Sequence, residues 1–302
     1  MLLCQLCSAG VFAIFLGTGL TASASAHAHG RHSISLETHG KEPIESCTDL
    51  HARSEYGEVA VKEESRTITR TEASRLTVKA EDNGAMQVQG WDKNEYSATL
   101  CKAALAGAEG ERILSQIKLN FQNGELSVSG PLHSDEDWAT YLLIRAPRSA
   151  ALDLHVNNGP LNLYQVDGSI KGKGVNGPVA LEDCTGEIEL SVENGPVSLH
   201  GGSGRIDLRT QNGPVTVSLK GQSWSGTGLE AHAVNGPVTF NIPQDYESSV
   251  VVESQGNGPL SCRAKACAEG RKTWDEERKR VEFGSGPAVI RVSTVNGPLS
   301  VR

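Results

Sequence analysis

The stretch NGPVALEDCTGEIELSVE, residues 176–193, is one complete period of this chain, and residues 194–196 begin it again with Asn-Gly-Pro. Asn-Gly is a strong signal for a two-residue hairpin, which closes through the backbone N–H of the residue after glycine. Proline has no such N–H. The combination is written seven times: Asn158-Gly159-Pro160, Asn176-Gly177-Pro178, Asn194-Gly195-Pro196, Asn212-Gly213-Pro214, Asn235-Gly236-Pro237, Asn257-Gly258-Pro259 and Asn296-Gly297-Pro298.

The first four copies are 18 residues apart, and halfway between them lie Asp167-Gly168, Thr185-Gly186 and Ser203-Gly204. Glycine therefore recurs every nine residues from Gly159 to Gly213. After each glycine apolar residues alternate, as in Val179 and Leu181, or Ile188, Leu190 and Val192. Such alternation gives a strand with one face inward and one toward water. Asn, Asp, Thr or Ser before the glycine can bond to the backbone of a bend, and glycine can supply a positive φ.

Proline then forbids the hairpin and sends the chain round a corner into a facing layer. Hydrogen bonds run instead to the equivalent strand one coil away, 18 residues along. The spacing predicts an all-β chain: a β-solenoid-like stack of nine-residue strand-turn units, two per 18-residue coil. Asp167-Gly168 and Thr185-Gly186 carry no proline, so an antiparallel β-sandwich of alternating arcs and hairpins is the alternative. Ile113, Leu114 and Ile117 at helical spacing predict a short helix within residues 108–118, covering an edge of the stack.

Organisation follows from this pattern. Residues 1–26 read as a signal peptide, with an apolar run from Val11 to Leu20 and a small-x-small site at Ala24-Ser25-Ala26, although no Lys or Arg precedes the run. The run is too short for a membrane span, and no transmembrane segment is expected once it is removed. Residues 27–72 read as a flexible leader and lead-in, and 73–302 as the repeat domain. Within it, 73–150 holds the helix, 151–220 the regular repeats and 221–302 irregular repeats with loops. Export places the protein in a secreted, periplasmic or cell-surface location. There Cys262 and Cys267, with four residues between them, would staple a loop, and Cys47 with Cys101 is a second pairing. Cys184 is left over as a small apolar filler.

The segments DNGAMQVQGW at 82–91, LIRAPRSAALDLHVNNGPLNL at 143–163 and VEFGSGPAVIRVSTVNGPLSV at 281–301, with the nine-residue ladder, resemble bacterial domains known as putative adhesins, or toast-rack domains, of unknown function. The resemblance covers roughly residues 73–302. It implies a β-solenoid-like domain of the cell envelope, with adhesion or binding as its role and no defined catalytic residues.

The residues themselves offer little chemistry. A net charge of −8 without a basic run speaks against nucleic acid as a partner. In the 18-residue register the carboxylates Glu187, Glu189 and Asp207 fall together, the best site for a carbohydrate-active β-helix enzyme. Lys171 and Arg205 interleave with them, as on a solvated ion-paired face. His27 and His29, with His32 and His39 nearby, would open the chain after cleavage, and a third-position histidine with a free amino terminus can chelate Cu(II) or Ni(II). The bland alternative is a polar leader. Trp91, Trp138, Trp224 and Trp274 are scattered, unlike a sugar-stacking platform. The asparagines before Gly-Pro read as a stacked amide ladder, or as a polar edge presented to glycan. The expectation is thus a non-enzymatic adhesion, binding or structural module with no catalytic or metal site and no cofactor. Its partner would be an envelope or extracellular ligand, glycan or protein.

Overall fold

The computed structural model describes residues 25–27, 34–38, 40, 42–80, 84–131, 138–256, 258–275 and 278–302. Residues 1–24, most of the expected signal peptide, and His29, His32, His39 and Asn257 lie outside the described residues. The chain is nearly all β. Among the described residues, two large sheets, of 11 and 12 strands, face each other across one core, and a three-stranded sheet of N-terminal segments is added to them.

Each regular coil contributes an eight-residue strand to one sheet and a four-residue strand to the other. Glu187–Asn194 and Val197–His200 are one such pair. Long strands pair in parallel at the 18-residue offset read from the sequence: Ile188 lies opposite Ile170 and Ile206, and Asn194 opposite Asn176 and Asn212. Short strands do the same, with Leu199 opposite Leu181 and Val217. The inward columns from both sheets are almost wholly buried, each fully buried Leu, Ile or Val contributing about 1.5–3 kcal/mol.

The corners show what proline does. The N–H of Gly177 donates to the carbonyl of Asn194 at 3.0 Å, and that of Val179 to the carbonyl of Pro196 at 2.9 Å. Both bonds leave the coil instead of closing a hairpin. Asn123-Gly124 provides the contrast within the same molecule. No proline follows it, both residues are left-handed at φ 52° and 78°, and the flanking strands Lys118–Gln122 and Glu125–Ser129 pair antiparallel. That is the two-residue hairpin Asn-Gly prefers. The corners without proline are not hairpins either: Glu187 N–H donates to Gly168 of the preceding coil at 3.0 Å. At Gly195 the need for glycine is close approach, since a Cβ there would sit 2.0 Å from the carbonyl oxygen of Gly177.

The ends of the stack are less regular. Arg75–Ala80 and Gly84–Trp91 form a first coil beneath Ala151–Asn158 and Leu161–Tyr164, again in parallel. Beyond it Trp138–Pro147 lies between Gly84–Trp91 and the antiparallel strand Glu95–Leu105, and Val59–Thr69 ends that sheet. The predicted helix is present as Ala108–Gln116, with Ile113 and Leu114 buried in the main core. At the other end chain order and spatial order diverge. The last coil, Ser285–Asn296 with Leu299–Val301, is inserted between the coil of Gly228–Asn235 and that of Ser248–Gln255. Arg271–Trp274 and Arg278–Phe283 form an antiparallel hairpin outside it.

The expected leader, 27–72, differs from its sequence reading. It contains the strands Ile34–Glu37, His51–Ser54 and Val59–Thr69. Ile34, Leu36 and Ile44 are buried against the outer face of the shorter-stranded sheet, where Ala85 and Tyr141 present an apolar surface. The Gln87 side chain binds both the N–H and the carbonyl of Ile44, at 3.1 and 2.9 Å. Cys47 and Cys101 form a disulfide that fastens this strap, and Cys262–Cys267 forms the second. Among the described residues no helix is long and apolar enough to cross a membrane.

Candidate functional site

The outward face of the long strands carries the carboxylates singled out from the sequence. Glu189 and Asp207 are neighbours across a parallel pair, and Glu187 faces Arg205. The register brings them together, and a basic group occupies Asp207. Arg209 donates to both oxygens of Asp207 at 2.9 and 2.7 Å and lies 3.5 Å from Glu230. Those hydrogen bonds to Asp207 raise the Arg209 pKa further and keep it charged. The face is laced with ion pairs and is not a cleft.

The asparagine ladder is a one-way chain of amides. Asn176 donates to Asn158, Asn194 to Asn176, Asn212 to Asn194, Asn235 to Asn212 and Asn296 to Asn235, all at 2.9–3.1 Å. Its polar groups are spent on one another at an exposed corner. Cys184 is buried, and burial pushes its thiol up to about 11, which leaves it protonated and inert at neutral pH. Trp138 and Trp224 are buried, with the Trp224 indole donating to Gly204 at 3.0 Å, while Trp274 stands exposed on the C-terminal hairpin. The tryptophans are not gathered. Of the histidines near the expected cleavage site only the backbone of His27 is described, in the strand Ser25–His27. Among the described residues no group of three or more His, Cys, Asp or Glu is placed to hold a metal ion.

A concave surface lies elsewhere, on the outward face of the short strands. It is a groove of about 260 Å³ running across four coils. Two outward columns line it. One is Asn162, Ala180, Ser198 and Thr216; the other is Tyr164, Glu182, His200 and Ser218. Small side chains at Ala180, Ser198 and Thr216 make the depression, and the longer Tyr164, Glu182 and His200 raise its side. Thr38 and Gly40 of the strap contribute at one end. Tyr164 is half-buried, and burial followed by the nearby Glu182 carboxylate raises its pKa, so the phenol keeps its proton as a donor. Asn162 is buried with its amide 3.5 Å from the Tyr141 hydroxyl. Beside the groove Lys220 pairs with both oxygens of Asp183 at 2.7 Å, which neutralises that flank. The groove's residues were missed at the sequence level, although the periodicity that aligned Glu189 with Asp207 also aligns positions 164, 182, 200 and 218.

No protein-family model matches the chain, and no curated protein matches it. Among solved structures it is similar to a protein of Clostridium sporogenes described as a putative cell adhesion protein, at 14% identity and a TM-score of 0.31, covering 80% of this chain and 98% of that one. A Bacteroides fragilis protein described as a putative adhesin aligns at 12% identity and a TM-score of 0.35, over 80% and 97% of the two chains. A Parabacteroides distasonis protein described as a putative lipid binding protein aligns at 11% identity and a TM-score of 0.28, over 80% and 96%. These likenesses are remote, and no functional conclusion is drawn from them.

Proposed function

We propose that this chain is an exported, non-catalytic β-solenoid of the cell envelope that works as a binding or adhesion module through the outward face of its short strands. The observation that carries this reading is the groove: a concave strip of polar side chains repeated from coil to coil, framed by a disulfide-fastened strap. The parallel 18-residue register supports the solenoid. The Cys47–Cys101 and Cys262–Cys267 bonds favour an oxidising compartment, in line with the signal-like residues 1–26. The ion-paired Asp207 favours a solvated face over an active site at Glu189 and Asp207.

The test is expression of the full chain in a bacterial host, followed by fractionation and binding to purified envelope polysaccharides, peptides and vesicles. The expected result is an exported protein lacking residues 1–26 that binds saturably without turning its ligand over. Binding should weaken in Tyr164→Ala and persist in Glu189→Gln. Retention in the cytoplasm, turnover lost in Glu189→Gln, or binding indifferent to Tyr164 would overturn the reading.

A further inference from the structure

We infer that the groove on the short strands takes a neutral linear glycan lying along the stack axis, one sugar ring to each coil. The inference rests on the binding-module reading and names its ligand class and orientation.

The direction comes from the architecture. Tyr164, Glu182, His200 and Ser218 are successive partners in parallel strands, so the column advances by one inter-strand spacing per coil, about 4.8 Å. Four coils present polar groups over about 14 Å. A β-1,4-linked hexopyranose chain advances by nearly this spacing per ring with alternate rings turned over, so each coil meets one ring and every second coil meets equivalent hydroxyls. An extended peptide, at about 3.3 Å per residue, comes back into step only at its third residue, two coils on, where the side chain points to the opposite face.

The class comes from the lining. Ser198, Thr216 and Ser218 both donate and accept hydrogen bonds, which suits hydroxyls. Tyr164 offers one ring face, of the kind a pyranose covers with its C–H groups, next to a hydroxyl that stays protonated. The large apolar residues of the lining, Leu163, Leu181 and Leu199, are almost wholly buried, which speaks against an acyl chain. No Lys or Arg is among its lining residues, which speaks against a polyanion. The flanking Lys220 is tied to Asp183.

The test is titration of the full, oxidised chain with neutral β-linked oligosaccharides of increasing length, followed by backbone NMR and calorimetry. Shifts should map to the two groove columns. Affinity should grow with each ring up to about four rings and then level off, as the contact surface ends. Tyr164→Ala should weaken binding by about tenfold. Ala180→Trp, which fills the groove while removing no hydrogen-bonding group, should abolish it. Raising the salt from 50 to 500 mM should change little, because a neutral ligand has no charge to screen. Shifts outside the groove, or affinity independent of length, would overturn the inference. Peptides or vesicles that bind the groove while oligosaccharides do not would overturn the glycan and leave the binding-module reading standing. No ligand of any class at the groove would remove both.

Discussion

Asn194 donates its side-chain amide to the Oδ1 of Asn176 at 3.1 Å and accepts the amide of Asn212 at 2.9 Å, so residues 18 apart lie one above another. The same two coils meet at the next position through backbone, where Gly195 passes over Gly177 with no room for a side chain. The ladder and the close approach are separable contributions to the corner. Replacing Asn194 with Ala removes two exposed hydrogen bonds and should cost about 1 kcal/mol, given how little each nets against water. Gly195→Ala forces the coils apart and should cost about 3 kcal/mol or more. Urea unfolding of the two variants measures the difference. Equal losses would mean that the glycine is there for some reason other than stacking.

The strap gives the second prediction. Cys47 and Cys101 close a loop spanning 54 residues, whereas Cys262 and Cys267 are separated by 5. In the chain-entropy account the first bond stabilises by about 4 kcal/mol and the second by about 2 kcal/mol. Cys47→Ser with Cys101→Ser should therefore lower the unfolding midpoint more than Cys262→Ser with Cys267→Ser does. Reductant should lower the wild-type protein to the level of the quadruple variant. A larger loss from the shorter loop would contradict the entropic account.

Much of this molecule was legible because its inward columns repeat. Leu181, Leu199 and Val217 face one core in one register, and a single period suffices to align them. Asn123-Gly124 and Asn194-Gly195 share their turn residues, and the one followed by proline sends its backbone bonds to the next coil while the other closes a hairpin. What escaped the sequence was information carried outside the period. Asn235 pairs with Asn296, 61 residues on, because every Asn-Gly-Pro coil offers a compatible edge and the repeat alone cannot say which coil takes which neighbour. The strap was hidden because its inward residues, Ile34, Leu36, Ile44, Cys47 and Leu50, are irregularly spaced amid polar ones. The groove was overlooked because outward positions such as Ala180, Ser198 and His200 vary from coil to coil, and only the fold shows them to be contiguous.

A pH prediction follows from the N-terminal edge. Lys102 is buried, with its ammonium 2.8 Å from Glu64 and 3.0 Å from the carbonyl of Ile117. For Glu64 burial alone would raise the pKa, but the bonds from Lys102 and from the backbone of Leu119 outweigh it and hold the carboxyl below its ordinary range. A depressed carboxyl pKa stabilises the fold above the unfolded-state value and stops doing so as pH falls through the folded one. Glu64→Gln should thus be less stable than the wild type at pH 7, with the gap closing below about pH 4. Denaturant titrations of both proteins across that range test it. A gap that stays constant with pH would mean that Glu64 contributes by packing alone.

The inserted C-terminal coil makes the last prediction, one that separates spatial from sequence order. Residues at a chain end ordinarily fray and exchange their amide hydrogens fast. Here Val289–Thr294 is flanked on one side by Gly228–Asn235 and on the other by Ser248–Gln255, both in parallel, so that stretch is paired on both edges. Val289–Thr294 should exchange as slowly as the regular strand Arg205–Asn212, and more slowly than Arg271–Trp274, which ends its sheet although it comes earlier in the chain. Leu299 is held in the same way between Val238 and Leu260. Deleting residues 299–302 should leave both neighbouring short strands with an unpaired edge and accelerate exchange in each of them. Hydrogen exchange read by mass spectrometry gives both results in one experiment. Fast exchange at Val289–Thr294 in the full chain would place the last coil outside the stack, and the order of coils drawn here would fail with it.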